Sequence, residues 1–236
     1  MSAWWRARLI GRCEQSPTGR TLRFDVPQWP GHLAGQHVDV RLSADDGYQA
    51  VRSYSLAAPA LRTGIELGVQ SVQGGEVSPY LAQDLPVGAE VELRGPLGGW
   101  FVWRAEQDDP VLLVAGGCGI VPLMAMIRTH RLEGSAAPMR LLYSVRDPDQ
   151  VWYRDELTPD ADPATASRIV YTRRAPTGSS RPPGRIISDD LPLPARTALG
   201  STLCFICGPT GFVEHASDLL TRAGYASDRI RTERFG

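Results

Sequence analysis

The pattern of hydrophobic and polar positions divides the chain into two parts of different character. Up to about residue 106, short alternating segments are separated by turns, and only the stretch 78–85 has helical spacing. Alternation with a period of two is typical of strands, because successive side chains point to opposite faces of a sheet. The segments with this pattern are Arg20–Val26, Gln36–Leu42, Ser53–Ala57, Ile65–Val72, Glu90–Gly95 and Trp100–Arg104. Short strands at this spacing predict a small antiparallel barrel or sandwich.

From about residue 110 the pattern changes to strands that alternate with helices. Strands are predicted at 111–115, 140–145, 168–172 and 202–207, and helices at 122–132, 150–157 and 209–223. One face of the last helix carries its apolar side chains, Phe212, Ala216, Leu219, Leu220 and Ala223. Strands that alternate with helices predict a parallel sheet with helices on both faces, and ligands bind such sheets at the carboxyl ends of the strands. We therefore expect two domains, 1–106 and 107–236, with 106–110 as the linker.

Composition and charge exclude several classes of function. The 236 residues carry a formal net charge of −1 and are 42% hydrophobic, which is ordinary for a globular protein and gives no overall attraction to nucleic acid. The N-terminus lacks the apolar core of a signal peptide, and no apolar run approaches the length that spans a bilayer. A cytoplasmic protein without a membrane span is expected. The dispersed histidines and the four cysteines lack the spacing of a metal site, so no metal is predicted.

A glycine-rich turn follows the predicted strand at 111–115. Gly116, Gly117 and Gly119 remove side chains that would keep a pyrophosphate or a planar ligand away from the backbone. The turn departs from the usual dinucleotide fingerprint, since Pro122 stands where the last glycine is expected. On its own it is a weak indication of nucleotide binding.

Two segments of the first part are further candidates. Arg52 and Tyr54 share one face of a predicted strand, and Ser53 and Ser55 share the other. Some 20 residues later, the run from Gly74 to Ser78 combines glycines, a hydroxyl and a helix start that suit a phosphate. Each segment alone is more often an ordinary strand or an ordinary turn.

Taken together and in order, these motifs resemble the ferredoxin–NADP reductase family of flavoproteins. The motifs are Arg52-x-Tyr54-Ser55, Gly75-x-x-Ser78, Gly95-Pro96-Leu97-Gly98, Gly116-Gly117-Cys118-Gly119-Ile120-Val121-Pro122, Cys207-Gly208-Pro209 and Glu233-Arg234-Phe235-Gly236. The resemblance covers essentially the whole chain. It implies an N-terminal antiparallel flavin-binding β-barrel and a C-terminal parallel-sheet nucleotide-binding domain, with FAD favoured over FMN.

The resemblance also implies roles for individual residues. On the flavin side, Arg52 would pair with the diphosphate, Tyr54 would pack on the flavin and Ser55 would approach its reactive edge. The remaining flavin-site residues would be Ser53, Gly74, Gly75, Val77 and Ser78. The residues that would contact the nicotinamide nucleotide are Gly117, Cys118, Gly119, Cys207, Gly208 and Pro209. Phe235 would cover the flavin face, although the trailing Gly236 departs from relatives that end in the aromatic residue. Together, Ser55, Cys118, Cys207 and Phe235 are the candidate catalytic residues.

The position of Cys118 departs from the family, which typically has threonine or serine there. A thiol is a weaker hydrogen-bond donor than a hydroxyl, so the positioning of the nicotinamide is expected to differ.

The choice of nicotinamide nucleotide rests on residues at strand ends. Ser144 and Arg146 lie where NAD-specific folds place an acidic residue, and Arg173 and Arg174 end the next predicted strand. A hydroxyl and arginines favour the 2′-phosphate of NADPH. The nearby acidic pair at 147 and 149 instead favours NADH, which is the alternative donor.

The sequence therefore predicts an NAD(P)H-dependent, FAD-containing reductase that passes electrons to a separate acceptor such as a ferredoxin or an oxygenase. The separate acceptor is expected because the chain does not continue into the iron–sulfur domain that many relatives carry. One alternative is a flavin-binding electron-transfer subunit that works only within a larger complex. Another is a thiol oxidoreductase built on Cys204 and Cys207.

Overall fold

The computed structural model describes residues 4–60, 64–158, 165–191 and 199–235. Its first half forms a six-stranded antiparallel sheet in the order β4-β3-β6-β1-β2-β5. The strands are β1 (Trp4–Glu14), β2 (Gly19–Asp25), β3 (His37–Ser43), β4 (Gln49–Ser55), β5 (Gly64–Gln70) and β6 (Glu90–Leu97). An isolated bridge between Leu56 and Leu67 joins the two edges of the sheet, so the sheet closes towards a barrel.

The alternating pattern of these strands fills the interior of the barrel. Leu22 and Phe24 of β2 and Leu67 of β5 are fully buried, while Arg23, between the first two, is exposed. A short helix at Tyr80–Asp84 covers one end and buries Leu81. Each fully buried leucine or phenylalanine contributes about 1.5–3 kcal/mol to folding, so the pattern itself specifies the closed sheet.

The second half forms a five-stranded parallel sheet in the order β11-β10-β7-β8-β9. Its elements are β7 (Val111–Gly116), α1 (Ile120–Glu133), β8 (Met139–Val145), β9 (Thr165–Tyr171), β10 (Leu203–Pro209), α2 (Thr210–Arg222) and β11 (Ile230–Phe235). Leu113 of β7 packs in the core with α1, whereas Leu112 and Val114 pack on the opposite face with α2. The predicted fold class, an antiparallel sheet followed by a parallel sheet with helices on both faces, is confirmed.

Four local predictions need correction. The strands β1 and β11 are absent from the prediction, because few of their side chains are buried. The segment Trp100–Arg104 is not a strand, and its buried Trp103 makes only an isolated bridge to Ala34. The predicted helix at 150–157 consists of 3-10 turns at Pro148–Gln150 and Arg154–Glu156, because Tyr153 between them has a φ of +56°, which an α-helix does not allow.

The two sheets are held together by an interface that the 151–153 segment builds. The Trp152 ring lies directly on Gly19, where an added Cβ would come within 2.1 Å of the indole. Its Nε1 donates to Ser16 Oγ at 3.1 Å, and the Tyr153 backbone N–H donates to Gln15 Oε1 at 2.9 Å. This interface places the open end of β4 against the carboxyl ends of the parallel strands.

A charged cluster, made of Arg128 on α1, Glu66 on β5 and Glu156, reinforces the same interface. The Arg128 guanidinium pairs with Glu66 at 2.5 Å and with both carboxylate oxygens of Glu156, at 2.5 and 2.9 Å. It also donates to the Ala57 carbonyl at 2.9 Å. All three charged side chains are largely covered, so the cluster ties the helix to the barrel with little competition from water.

Candidate active site between the two sheets

Residues from distant parts of the chain meet where the barrel faces the parallel sheet. Ser55 ends β4, and its Oγ donates to Glu233 Oε1 of β11 at 3.4 Å. Glu233 is the register partner of Cys207 on β10, so the carboxylate and the thiol stand side by side at the carboxyl edge of the sheet. Ser55, Cys207 and Glu233 therefore form one group, although only Ser55 and Cys207 were candidate catalytic residues from the sequence.

Burial raises the pKa of Glu233 to about 7, and the hydrogen bond from Ser55 offsets part of that rise. The carboxyl group consequently changes its protonation state near neutral pH. A group that both gains and loses a proton there is suited to proton exchange at a reaction site.

A pH-dependent stability follows from Glu233. An acid with a raised pKa binds its proton more tightly in the folded protein, so its contribution is fully present below pH 4.5 and is lost as the pH rises through about 7. We expect the free energy of unfolding of the flavin-free protein to fall across this window, and Glu233→Gln to flatten the fall by about 1–2 kcal/mol, allowing for partial exposure. Urea unfolding between pH 5 and 8 measures both. Equal slopes in the two proteins would contradict the assignment.

A cleft of about 210 Å³ opens beside this group. Its walls contain six of the predicted site residues, namely Gly117, Cys118, Ser144, Arg146, Pro209 and Phe235. Gln70 of β5 also lines it, so the cleft lies between the two sheets. Phe235 is 37% exposed and stands at the cleft in register with Pro209.

The glycine-rich turn shapes the floor of the cleft. Gly117 has a φ of +57°, which favours glycine, and an added Cβ there would meet nothing within 4 Å. Its backbone is therefore open to a ligand. Gly119 has a different environment, since its Cβ would lie 2.2 Å from the Cys207 carbonyl oxygen. The absence of a side chain at Gly119 therefore allows the glycine-rich turn to pack against the backbone of β10 at Cys207.

The two thiols of the site are neutral. Burial raises the pKa of Cys118 to about 12 and raises that of Cys207 well above its ordinary value. Neither thiol is activated as a nucleophile, and both act here as small side chains that shape the cleft.

Positions on β10 argue against a redox pair of Cys204 and Cys207. The two residues are three apart on one strand, so their side chains point to opposite faces of the sheet. Cys204 packs in the core beneath α2, and Cys207 packs in the core beneath α1. The sheet separates the two sulfur atoms, and the thiol oxidoreductase interpretation loses its geometric basis.

The predicted flavin residues occupy the open end of the barrel. Arg52 is exposed, and its only ion pair among the described residues is a long one, 3.9 Å to Glu76. Tyr54 pairs with the fully buried Val38, and burial raises the pKa of Tyr54 to about 12. The Tyr54 ring thus packs against the barrel core and stays partly accessible.

The other candidate flavin-site residues differ in whether their backbone or their side chain is accessible. Gly74 has a φ of +75° with open space above it, and Gly75 is exposed. The Ser78 Oγ accepts a hydrogen bond from the Val72 backbone N–H at 3.1 Å, which holds the turn in shape. Val77 is buried in the barrel core, so only its backbone faces the turn. Ser53 donates to Asp39 at 2.6 Å, and this serine fixes a neighbouring strand.

The arginines near the Arg146 end of the cleft differ in whether they form ion pairs. Arg174 pairs with Asp149 at 2.6 Å and with Asp147 at 3.5 Å. Arg146 and Arg173 are exposed, and neither pairs with a carboxylate in the part of the chain that the structure describes. The arginines at 146 and 173 are therefore available to an anion, whereas the two aspartates are engaged.

Three residues of the site were missed by sequence reasoning. Phe212 and Trp152 line the cleft, and Phe212 fills the space above Gly116 and Gly208. Glu233 was part of a motif but had no role of its own. The sequence places Phe212 in the first turn of the helix that follows the Cys207-Gly208-Pro209 motif, whereas no local pattern marks Trp152.

No helix among the described residues is long and apolar enough to cross a bilayer. Within the same ranges, no three His, Cys, Asp or Glu side chains are grouped closely enough to hold a metal ion.

Comparison with known proteins assigns both halves of the chain to families. The model of the oxidoreductase FAD-binding domain matches residues 6–102, and that of the oxidoreductase NAD-binding domain matches residues 113–218. Together the two matches leave only short segments of the chain unassigned.

Curated relatives are reductase components of oxygenase systems. The ferredoxin–NAD(P)(+) reductase component of the naphthalene 1,2-dioxygenase/salicylate 5-hydroxylase systems of a Ralstonia species is 29% identical over 225 residues, which cover 92% of this chain and 64% of the relative. The glycine betaine monooxygenase reductase subunit of Pseudomonas aeruginosa is 31% identical over 248 residues, covering 99% of this chain and 66% of the relative. The chain thus spans slightly less than two thirds of the length of either relative.

Solved structures share the fold over the whole chain. The ferredoxin NADP+ reductase from Neisseria gonorrhoeae, with bound FAD and NADP, has a TM-score of 0.82 at 19% identity and covers 99% of both chains. The flavohem-like FAD/NAD-binding domain of nitric oxide dioxygenase from Vibrio cholerae has a TM-score of 0.86 at 21% identity, with full coverage of both. The two domain families, the order of the two sheets and the motifs at their junction show that the chain belongs to the ferredoxin–NADP reductase family of FAD- and NAD(P)-binding oxidoreductases.

Proposed function

We propose that the protein is an NAD(P)H-dependent, FAD-containing reductase that passes electrons to a separate acceptor such as a ferredoxin or an oxygenase. The contact that carries this proposal is the hydrogen bond between Ser55 and Glu233, because it joins the strand of the flavin motif to the edge of the nucleotide cleft. Residues 1–106 are proposed to hold the flavin and residues 107–236 the nicotinamide nucleotide.

The residues present fit both groups. Arg52 offers a cation with only a weak internal partner, beside the open backbone at Gly74 and Gly75. On the other side, the open Gly117 backbone and the cleft that ends at Arg146 suit a nucleotide with an anionic end. A bound FAD would supply the redox chemistry, taking a hydride from the nicotinamide and releasing electrons onwards.

The protein's own contribution is positioning and proton control. Ser55 and Glu233 place a hydrogen-bonded pair at the junction, and the neutral thiols of Cys118 and Cys207 leave the nearby charge unchanged. Phe235 lines the cleft mouth as an apolar wall. Holding two reactants in contact between fixed sheets lowers the entropic cost of hydride transfer.

Absorption spectroscopy tests the proposal directly. The purified protein, or the protein reconstituted with FAD, should show oxidised-flavin bands near about 370 and 450 nm that bleach on anaerobic titration with NADPH or NADH. Turnover of the isolated chain with an artificial electron acceptor would also separate an independent reductase from a subunit active only within a larger complex. Failure to bind FAD and FMN alike would refute the function.

NADPH is the proposed preferred donor. The aspartates at 147 and 149, which would favour NADH, are engaged by Arg174 at 3.5 and 2.6 Å. Ser144 and Arg146 line the cleft, and Arg173 follows at the end of the neighbouring strand. A hydroxyl beside two arginines supports recognition of a 2′-phosphate.

The substitution Arg146→Glu should lower kcat/KM for NADPH about 10- to 100-fold while changing that for NADH by far less, because it places a like charge beside the 2′-phosphate. Steady-state kinetics with both nucleotides measures the ratio. Arg140→Glu, at the opposite end of β8, is the matched control and should leave the ratio unchanged. If Arg146→Glu also leaves the ratio unchanged, the 2′-phosphate does not bind at this arginine.

A further inference from the structure

Strand β11 carries a row of side chains on the face that it turns towards the barrel. Arg231, Glu233 and Phe235 lie at alternate positions, so they share this face. Glu233 contacts Ser55 at the junction of the two sheets, and Phe235 lines the cleft on one side of that contact. Arg231 lies on the other side, with its Cα about 7 Å from that of Glu233. The junction is therefore flanked by the nucleotide cleft at one end of the row and by Arg231 at the other.

The ring of Trp100, in the loop after β6, lies over the Arg231 guanidinium. The Arg231 Cζ is 5.3 Å from the Trp100 ring centroid and 5.5 Å from that of the buried Phe205. Its Nη1 also donates to the Val102 carbonyl at 2.8 Å. Trp100 is 63% exposed, so these contacts hold the cation in place while the outer ring stays open to solvent. We refer to these two side chains as the Trp100–Arg231 patch.

The loop that carries Trp100 is fixed on both sides. The carbonyl of Gly98 accepts a hydrogen bond from Gln36 Nε2 at 2.7 Å. Phe101, directly after Trp100, is buried and meets the Phe205 ring edge-on at 5.3 Å. The exposed indole therefore stands on a fixed backbone, and a side chain held in this way loses little conformational entropy when a partner covers it.

Arg231 has no carboxylate within ion-pair distance in the part of the chain that the structure describes. Burial, and after it the charge of Arg229, lower the pKa of Arg231. Arg229 itself is already paired, with Asp109 at 2.8 Å. A partly covered arginine without a counter-ion is unfavourable in the isolated protein, and a carboxylate from a partner offsets that cost. The charge of the patch thus favours an acidic partner.

We propose that the Trp100–Arg231 patch is the docking surface for an acidic one-electron carrier protein. A carboxylate of the carrier pairs with Arg231, and an apolar part of its surface covers the Trp100 ring. Tryptophan and arginine are the residue types that most often dominate the binding energy of protein interfaces. Electron-transfer complexes commonly bury less than about 1,200 Å², so a small patch is sufficient.

This inference rests on the proposed function, because it takes electrons to leave the protein at the junction for a separate acceptor. Each NAD(P)H supplies two electrons, so it reduces two molecules of the carrier and releases one proton. The carrier and the nucleotide lie on opposite sides of Glu233, and both can be bound at the same time.

Isothermal titration calorimetry of the FAD-loaded full chain with an acidic plant-type 2Fe–2S ferredoxin tests the inference. Trp100→Ala and Arg231→Gln should each raise the Kd about tenfold or more at low ionic strength. Added salt should weaken binding less in Arg231→Gln than in the wild type, because the variant lacks the charge that salt screens. Saturating NADP+ should leave the wild-type Kd within about twofold.

Two matched variants serve as controls. Val87→Ala replaces a similarly exposed apolar residue, 66% exposed, beyond the opposite end of β6. Arg140→Gln removes an exposed arginine at the amino end of β8, away from the junction. Both should leave the Kd for the ferredoxin within about twofold of the wild type. Reduction of menadione, a small neutral quinone, needs no docking surface and should proceed at the wild-type kcat in all four variants.

The outcomes separate this inference from the function on which it rests. If the wild type reduces menadione but does not bind the ferredoxin at low ionic strength, or if NADP+ displaces the ferredoxin, the docking surface is overturned and the reductase proposal stands. Wild-type protein that binds FAD but reduces no acceptor overturns both. If Arg231→Gln loses menadione reduction, Trp100→Ala decides, and an unchanged ferredoxin Kd in that variant overturns the inference. Dimerisation of the wild type that Trp100→Ala abolishes would assign the patch to a second copy of the chain instead.

Discussion

Replacing Arg52 with alanine is expected to weaken FAD binding by about 2–5 kcal/mol, which is the cost of removing one partner from a hydrogen-bonded charge pair that binding desolvates. The fold should hardly change. In the flavin-free protein Arg52 contributes only an exposed ion pair of 3.9 Å with Glu76, and such pairs are worth about 0–1 kcal/mol. The loss therefore appears in the flavin affinity and not in the free energy of unfolding.

Two measurements on the Arg52 variants make this prediction decisive. Flavin titration gives the affinity, and urea unfolding without flavin gives the stability. Arg52→Lys keeps the charge but loses the planar, bidentate donor group, so its FAD affinity should lie between those of the wild type and the alanine variant. An unchanged FAD affinity in Arg52→Ala would show that the diphosphate binds elsewhere.

The second large effect is expected at Arg128, whose cluster with Glu66 and Glu156 joins the two sheets. Arg128→Met should lower the free energy of unfolding by about 3–5 kcal/mol, because Glu66 is then left covered and without its counter-ion, and Glu156 keeps only the 3.7 Å contact with Arg131. Chemical unfolding at neutral pH measures the change. A loss below about 1 kcal/mol would contradict a role for this cluster in stability.

A triple variant distinguishes the loss of the Arg128 contacts from the cost of leaving buried carboxylates without a cation. Arg128→Met combined with Glu66→Gln and Glu156→Gln removes the cation and both anions together. If the destabilisation comes from uncompensated carboxylates, most of it should disappear in this protein, since replacing a covered ion cluster as a whole is often nearly neutral. A triple variant as unstable as Arg128→Met would instead assign the loss to packing and to the Ala57 contact.

Much of the fold follows from local patterns that are visible in the sequence. Alternating strands of the barrel and the apolar face of α2 were predictable because each buries one face against a single core. The order of glycines and apolar residues at 111–122 likewise predicts a strand, a turn and α1. In these segments the local preference and the tertiary environment agree.

The failures occur where burial comes from the contact between the sheets. Phe101 is buried because its ring meets the edge of Phe205 at 5.3 Å, and an alternating pattern there resembles a strand without forming one. Tyr153 has a φ of +56°, which no helix allows, because the chain turns to insert Trp152 against the barrel. Local periodicity carries no information on such contacts.

The candidate site shows the same division. Residues in motifs, such as Arg52 and Gly117, were predictable from their types and spacing. The contact between Ser55 and Glu233 could not be predicted from the sequence, because the two residues are 178 positions apart and only the packing of the two sheets brings them together. The raised pKa of Glu233 could not be predicted from the sequence either, because it results from burial in the folded protein.

The same separation of 178 positions has a consequence for how the protein is made. During synthesis the barrel emerges from the ribosome first, and its local strand pairs can form while the parallel sheet is still being translated. The junction is complete only after β11 has been added, since Glu233 lies on that strand. Closing such a long loop is slow, so newly made chains should acquire a complete junction well after the barrel has folded.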